Sequence, residues 1–235
     1  MSSLKKIRND LRALACPIKT MTLQRFFKTG KGEYGEGDKF LGIVVPKQRQ
    51  LAKTHCDLSL ADLKILLASS IHEERLTTLL ILVLQYKNAD IRQQKQIYNF
   101  YFANIAGINN WDLVDLSAPQ IVGHYLLDKD KNFLHKLITA RSLWKRRIAI
   151  VATWHFIRNN YFKETLALTK KSLSDKEDLI HKASGWMLRE IGKRDFAVLD
   201  NFLREHYQNM PRTMLRYAIE KHPEKLRLDY LHSRV

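Results

Sequence analysis

Cysteine is scarce in this chain. Cys16 and Cys56 are its two, and they form neither a CxxC pair nor a disulfide framework. Nothing beside either one supplies a base, so each reads as ordinary packing and not as a nucleophile. Proline numbers five and gathers into no Pro/Ser-rich linker that would divide the chain. Strand-type alternation is equally rare. The longest apolar run, around Leu79 to Leu84, falls far short of the ~20 residues that span a bilayer. Met1-Ser2-Ser3-Leu4-Lys5-Lys6 leads into charged residues without an apolar signal region, so a cytoplasmic, nucleoid-associated location is expected. Catalytic signatures are missing too: no GxSxG, no Walker sequence, and His72-Glu73 without the second histidine of HExxH. The histidines lack metal-ligand spacing, so neither a metal nor another cofactor is expected. Gly30-Lys31-Gly32-Glu33-Tyr34-Gly35 matches GxGxxG, but no strand precedes it, which argues against a dinucleotide site.

Acid is also in short supply. Asp plus Glu total 24 against 40 Lys plus Arg, a formal net charge of +16. Such an excess says little about fold, but it points to an anionic partner, with nucleic acid or an anionic membrane surface first. Hydrophobic residues make up 45%, enough for a real core.

Helix-period patterns recur almost everywhere, which predicts an all-α chain. Five of the nine glycines fall between Gly30 and Gly42 and mark one long loop. Beyond it, short connections such as Asn88-Ala89-Asp90 and Asp128-Lys129-Asp130 separate apolar helices, and residues 1–235 read as a single domain. Arg75, Trp111 and Arg147 stand 36 residues apart, Lys182 follows after 35 and Arg212 after 30. Each lies near the start of an apolar helix, as expected of stacked helical hairpins of the HEAT or armadillo kind. Four of those five slots are basic, which predicts a cationic stripe along the concave side; the exception is Trp111.

One helical turn further along the same faces lie Asp115, Trp186 and Arg216, with Arg189 seven beyond Lys182. Trp111 and Asp115, four apart, should therefore project side by side. Either tryptophan alone would read as core, but both fall in the repeat pattern otherwise held by Arg or Lys. Trp144 and Trp154 lack that register and are assigned to the core. Asp112 suits a helix-start carboxylate favoured by the macrodipole. Arg147, Arg189, Arg212 and Arg216 on one face are better explained by phosphate contacts than by solvated charge.

Several strings in order carry a family resemblance. They are Tyr34-Gly35-Glu36-Gly37-Asp38-Lys39-Phe40-Leu41-Gly42-Ile43 with Pro46 and Arg49, then Trp111-Asp112-Leu113-Val114-Asp115, then Trp144-Lys145-Arg146-Arg147. Lys182-Ala183-Ser184-Gly185-Trp186-Met187-Leu188-Arg189-Glu190 and Arg212-Thr213-Met214-Leu215-Arg216-Tyr217-Ala218-Ile219 complete the set. In these the chain resembles the AlkD-like DNA alkylation repair glycosylases. The resemblance implies a curved superhelical stack of HEAT-like antiparallel helical repeats holding double-stranded DNA in a concave basic cleft. It implies excision of positively charged N3- and N7-alkylated purines, without turning the base into a pocket. By the same resemblance Asp115, Trp111 and Trp186 are the catalytic set, and Arg147 and Arg189 are the cleft arginines; Lys182, Arg212 and Arg216 join them as DNA-binding residues. One departure stands out. Where some members place a tyrosine in the second helix, this chain reads Arg25-Phe26-Phe27-Lys28, so an aromatic contact there would come from Phe26 or Phe27.

A purine already cationic leaves readily, so a general acid is unnecessary. One ionised carboxylate, Asp115, would face the developing oxocarbenium-like sugar and orient water. No lysine is needed as a Schiff-base nucleophile, so a monofunctional enzyme is expected, acting as a monomer. Two rival readings are a non-catalytic repeat protein binding damaged or branched DNA, and a protein-binding scaffold. Retention of Trp111, Asp115 and Trp186 together argues against the first, and arginine-lined repeats against the second.

Overall fold

A computed structural model describes residues 3–235. Helices make up its regular structure, and no strand occurs among the described residues; a lone bridge joins Lys39 to Ile71. The described residues are all-α, as the periodicity predicts. The chain divides into two compact units, the first ending at Ile121 and the second running Val122–Val235.

The first unit is built around helix His72–Asn88. Leu76, Leu79, Leu80, Ile81 and Leu82 are all buried, so this helix is enclosed nearly all round. Helices Val45–Thr54 and Leu60–Leu67 pack on it. Local chemistry sets their ends: Pro46 sits in the first turn of one, and Ser59 caps the other by accepting from the Asp62 amide. Helix Ile91–Ala103 follows, opened by a capping box between Asp90 and Gln93.

The start of the central helix is polar yet enclosed. His72, Glu73, Glu74 and Arg75 are each no more than 3% exposed. Glu73 accepts three backbone N–H groups, from Leu41 at 2.9 Å, Gly42 at 2.8 Å and Ile43 at 3.1 Å. Glu74 pairs with Arg8 at 3.2 Å. The glycine-rich loop is thus tied down by a carboxylate at its far end. Gly42 needs to be glycine twice over. Its φ is +84°, and a Cβ there would lie 2.2 Å from the Cys16 carbonyl oxygen. Gly42→Ala is expected to destabilise the protein by about 2 kcal/mol or more. Thermal melting checks this; a midpoint equal to wild type contradicts it.

In the second unit helix Asp178–Gly192 occupies the centre, packed on Arg212–Ala218, Leu143–Ala152 and Phe196–His206. Gly185 lets helix Arg212–Ala218 approach closely: a Cβ there would sit 2.4 Å from the Met214 carbonyl oxygen. Leu188, Leu203, Met214, Leu215 and Tyr230 form the core below.

The spaced positions do fall early in helices, Arg75 in His72–Asn88, Arg147 in Leu143–Ala152 and Lys182 in Asp178–Gly192. The expected stripe of exposed charge does not follow in full. Arg75 is 3% exposed and donates to the Ser69 carbonyl at 2.8 Å and to Asp38 at 2.7 Å. Arg147 is 5% exposed and donates to the Leu179 carbonyl. A guanidinium carries five donors in a fixed fork, and here each group is turned inward onto neighbouring oxygens, although Arg75 Nε is left without a partner.

Candidate active site

Asn110 opens the segment that carries the site. Fully buried, it accepts the Trp111 amide on its side-chain oxygen at 2.8 Å and caps helix Trp111–Asp115. The helix ends at Asp115 for a local reason. Pro119 has no N–H to offer the Asp115 carbonyl four residues back, and its ring crowds that oxygen. The chain widens there into a π-helical turn, Pro119–Gly123. The expected side-by-side placement of Trp111 and Asp115 holds, since both line one cavity. The helix is shorter than expected, with Asp115 as its last residue.

That cavity has a volume of about 450 Å³ and is walled mainly by apolar groups, among them Leu23, Phe40, Val44, Pro46, Leu76 and Leu116. Trp111 does not stand alone in it. Phe27 stacks on its face with ring centroids 5.2 Å apart and planes 14° from parallel, and Phe26 meets it edge-on at 5.8 Å. Phe27 is buried, whereas Phe26 is 60% exposed. Both phenylalanines therefore touch Trp111, but only Phe26 reaches solvent. Behind Trp111, the rings of Phe27, Phe40 and His72 form a mutually packed trio, with centroids 5.1 Å apart for Phe27–Phe40, 4.5 Å for Phe40–His72 and 4.9 Å for Phe27–His72.

Asp112 is the expected helix-start carboxylate, its Oδ1 accepting the Leu113 amide at 2.9 Å, but it has a second partner that the sequence does not show. It is 5% exposed, and its Oδ2 lies 2.8 Å from His72 Nε2. The other ring nitrogen of His72 faces Asp38 Oδ2 at 3.2 Å, and Asn110 Nδ2 donates to that same oxygen at 3.4 Å. In the sequence His72 is only half of an incomplete metal motif. Its partners lie 34 and 40 residues away, in two of the strings that carry the family resemblance. Nearby Tyr101 is fully buried, with its hydroxyl 3.0 Å from Ser117 Oγ. Burial, and then the negative charge of Asp115, push its ionisation well above the ordinary tyrosine range.

In the second unit Trp186 is half-buried and donates from Nε1 to Glu190 at 3.2 Å. Trp154, assigned to the core from sequence, is half-buried instead. Its ring lies 6.5 Å from that of Trp186, with the Arg158 guanidinium 5.2 Å above it. An i+4 register had no way to find this pairing, because the two tryptophans sit on different helices. His155, beside His124, is driven down to about 4 by burial first and by the His124 and Arg158 charges second, so it is neutral at pH 7.

The predicted DNA-binding residues differ in availability. Arg212 and Arg216 are exposed, with Arg212 donating to the Leu231 carbonyl at 2.7 Å. Lys182 pairs with Asp178 at 2.7 Å, and Arg189 pairs with Glu220 and, at 3.7 Å, with Glu190. Arg147, predicted as a cleft arginine, is buried.

The fold and the site define an all-helical class of protein, with an acid and a tryptophan from one short helix in an aromatic-walled cavity. The family follows from comparison. Residues 7–222 match the model for DNA alkylation repair enzyme, and the chain belongs to that family. Among solved structures it is similar to a predicted DNA alkylation repair enzyme from Enterococcus faecalis. The TM-score is 0.69 at 14% identity, over 89% of this chain and 97% of that one. At that identity the likeness speaks for the fold alone. No curated protein sequence matches the chain.

Proposed function

We propose that the chain is a monofunctional DNA glycosylase that hydrolyses the N-glycosidic bond of positively charged N3- and N7-alkylated purines in duplex DNA. The observation that carries this reading is the opening of Trp111 and Asp115 into one aromatic-walled cavity in a member of the DNA alkylation repair enzyme family. The alkylated base already bears the positive charge that a general acid would otherwise provide. Ionised Asp115 then stabilises the oxocarbenium-like sugar and orients the attacking water. Trp111 and Trp186 hold the deoxyribose and the cationic base edge through apolar and cation–π contact, worth about 0.5–2 kcal/mol each.

Lys182, Arg189, Arg212 and Arg216 are assigned to phosphates, and Arg147 to the same task once it leaves the Leu179 carbonyl. Duplex affinity should therefore fall steeply as salt rises. We assign both units, residues 1–235, to one module acting as a monomer, without metal or other cofactor.

A second reading has its own observation. One face of Trp111 is already covered by Phe27, which suits a non-catalytic protein that binds damaged or branched DNA without acting on the base. Incubation with methylated duplex separates the two. The glycosylase creates alkali-labile abasic sites, leaves the strands intact before alkali, and gives no covalent adduct with borohydride. Salt-sensitive retention of the duplex with no abasic sites supports the second reading instead, and a borohydride adduct overturns the monofunctional one.

A further inference from the structure

His72 lies between two carboxylates. Its Nε2 is 2.8 Å from Asp112 and its Nδ1 is 3.2 Å from Asp38. An ionised carboxylate only accepts hydrogen bonds, so both ring nitrogens must donate, and a ring that donates twice is an imidazolium. All three side chains are no more than 7% exposed. Asp38 also receives Arg75 at 2.7 Å, so two anions and two cations close a neutral, buried quartet. The quartet joins three segments: the glycine-rich loop through Asp38, the central helix through His72 and Arg75, and the site helix through Asp112.

We propose that His72 is a positioning residue for the site. As an imidazolium it anchors Asp112, cancels that carboxylate's charge three residues before Asp115, and so fixes where Trp111 and Asp115 stand. The groups facing it are Asp112 from the site helix, Asp38 from the loop and Arg75 from its own helix, with the rings of Phe27 and Phe40 packed alongside. Its helix neighbours Glu73 and Glu74 are engaged elsewhere, with backbone amides and with Arg8.

Burial alone would lower the proton affinity of His72, but the hydrogen bonds to Asp112 and Asp38 outweigh it and raise the ring above its ordinary 6.5. A raised folded value means that the quartet's contribution to stability is full below about 6.5 and is lost as pH climbs through the folded value. Asp38 is held below its ordinary value, since the His72 hydrogen bond and the Arg75 charge overcome its burial. Losing the ring proton leaves Asp112 buried without its cation, and the short site helix loses its anchor.

This inference rests on the glycosylase reading for its kinetic arm only. In the first arm, nitrogen-resolved NMR follows the His72 ring and the Trp111 indole N–H from pH 5 to 9. Two ring N–H groups are expected through pH 7, with the Trp111 signal moving at the same midpoint as His72. A neutral ring at pH 7, or a Trp111 signal that ignores the titration, overturns the proposal. In the second arm, His72→Gln can serve only one of the two carboxylates. It should slow single-turnover release of 3-methyladenine from methylated duplex by about 10–100-fold while duplex affinity stays within about twofold. It should also lose the fall in rate at high pH. Unchanged rate and pH profile overturn the proposal.

Asp112→Asn guards against a variant that simply misfolds. Its carbonyl can accept from a neutral ring, so it should keep a rate within a few-fold of wild type yet lose the alkaline fall, with a single cooperative melt that shows it is folded. An alkaline fall that persists in Asp112→Asn overturns the proposal. If wild type releases no base, the glycosylase reading fails, and the NMR arm still decides the positioning role.

Discussion

Asp115→Asn is expected to lower single-turnover base release by about 10²–10³-fold, roughly 2.7–4 kcal/mol of barrier. The neutral amide fills nearly the same space but offers no full charge to a sugar turning cationic. Because Asp115 is half-buried at the end of its helix, the substitution should leave the fold intact. Duplex affinity should hold or improve, since a negative charge is removed from a protein of net charge +16 that binds a polyanion. The informative pattern is therefore a collapse in rate without a collapse in binding. Equal losses in both would point to a disturbed structure instead. A rate equal to wild type, with the variant folded, would remove Asp115 from the chemistry.

Glu73→Ala is expected to cost about 3–5 kcal/mol of stability. It strips the carboxylate that gathers the Leu41, Gly42 and Ile43 amides and leaves three enclosed N–H groups without an acceptor. The same loop carries Phe40, which packs against both Phe27 and His72. Loosening it should therefore disturb the wall behind Trp111 as well as the fold. Urea unfolding of both proteins, compared by midpoint and slope, measures the loss. A difference below about 1 kcal/mol would mean that solvent replaces those hydrogen bonds at little cost.

Helix content was open to inspection because it depends on local spacing. The apolar run Leu79 to Leu82 and the capping pair Asp90 and Gln93 act within one or two turns. Trp111 and Asp115 were legible for the same reason: four residues apart, they reach one cavity even though Pro119 ends their helix early. Burial of charge was not legible. Arg147 looks like any basic residue until the Leu179 carbonyl is placed beside it. Asp112 looked like a helix-start carboxylate because its partner, His72, lies 40 residues away. Trp154 lacks the repeat register, and register along one helix says nothing of Trp186 beside it; Arg158, four residues on in the same helix and above its ring, is the one local signal the sequence carries. The choice between Phe26 and Phe27 had no local signal either. In the structure one is exposed at the cavity rim and the other is buried beneath Trp111.

The most direct test mixes excess protein with duplex DNA carrying N3- and N7-methylated purines and identifies the released bases by chromatography. The account predicts free 3-methyladenine or 7-methylguanine, appearing in step with abasic sites. Tight, salt-sensitive binding of that duplex with no free base over the same period would contradict it.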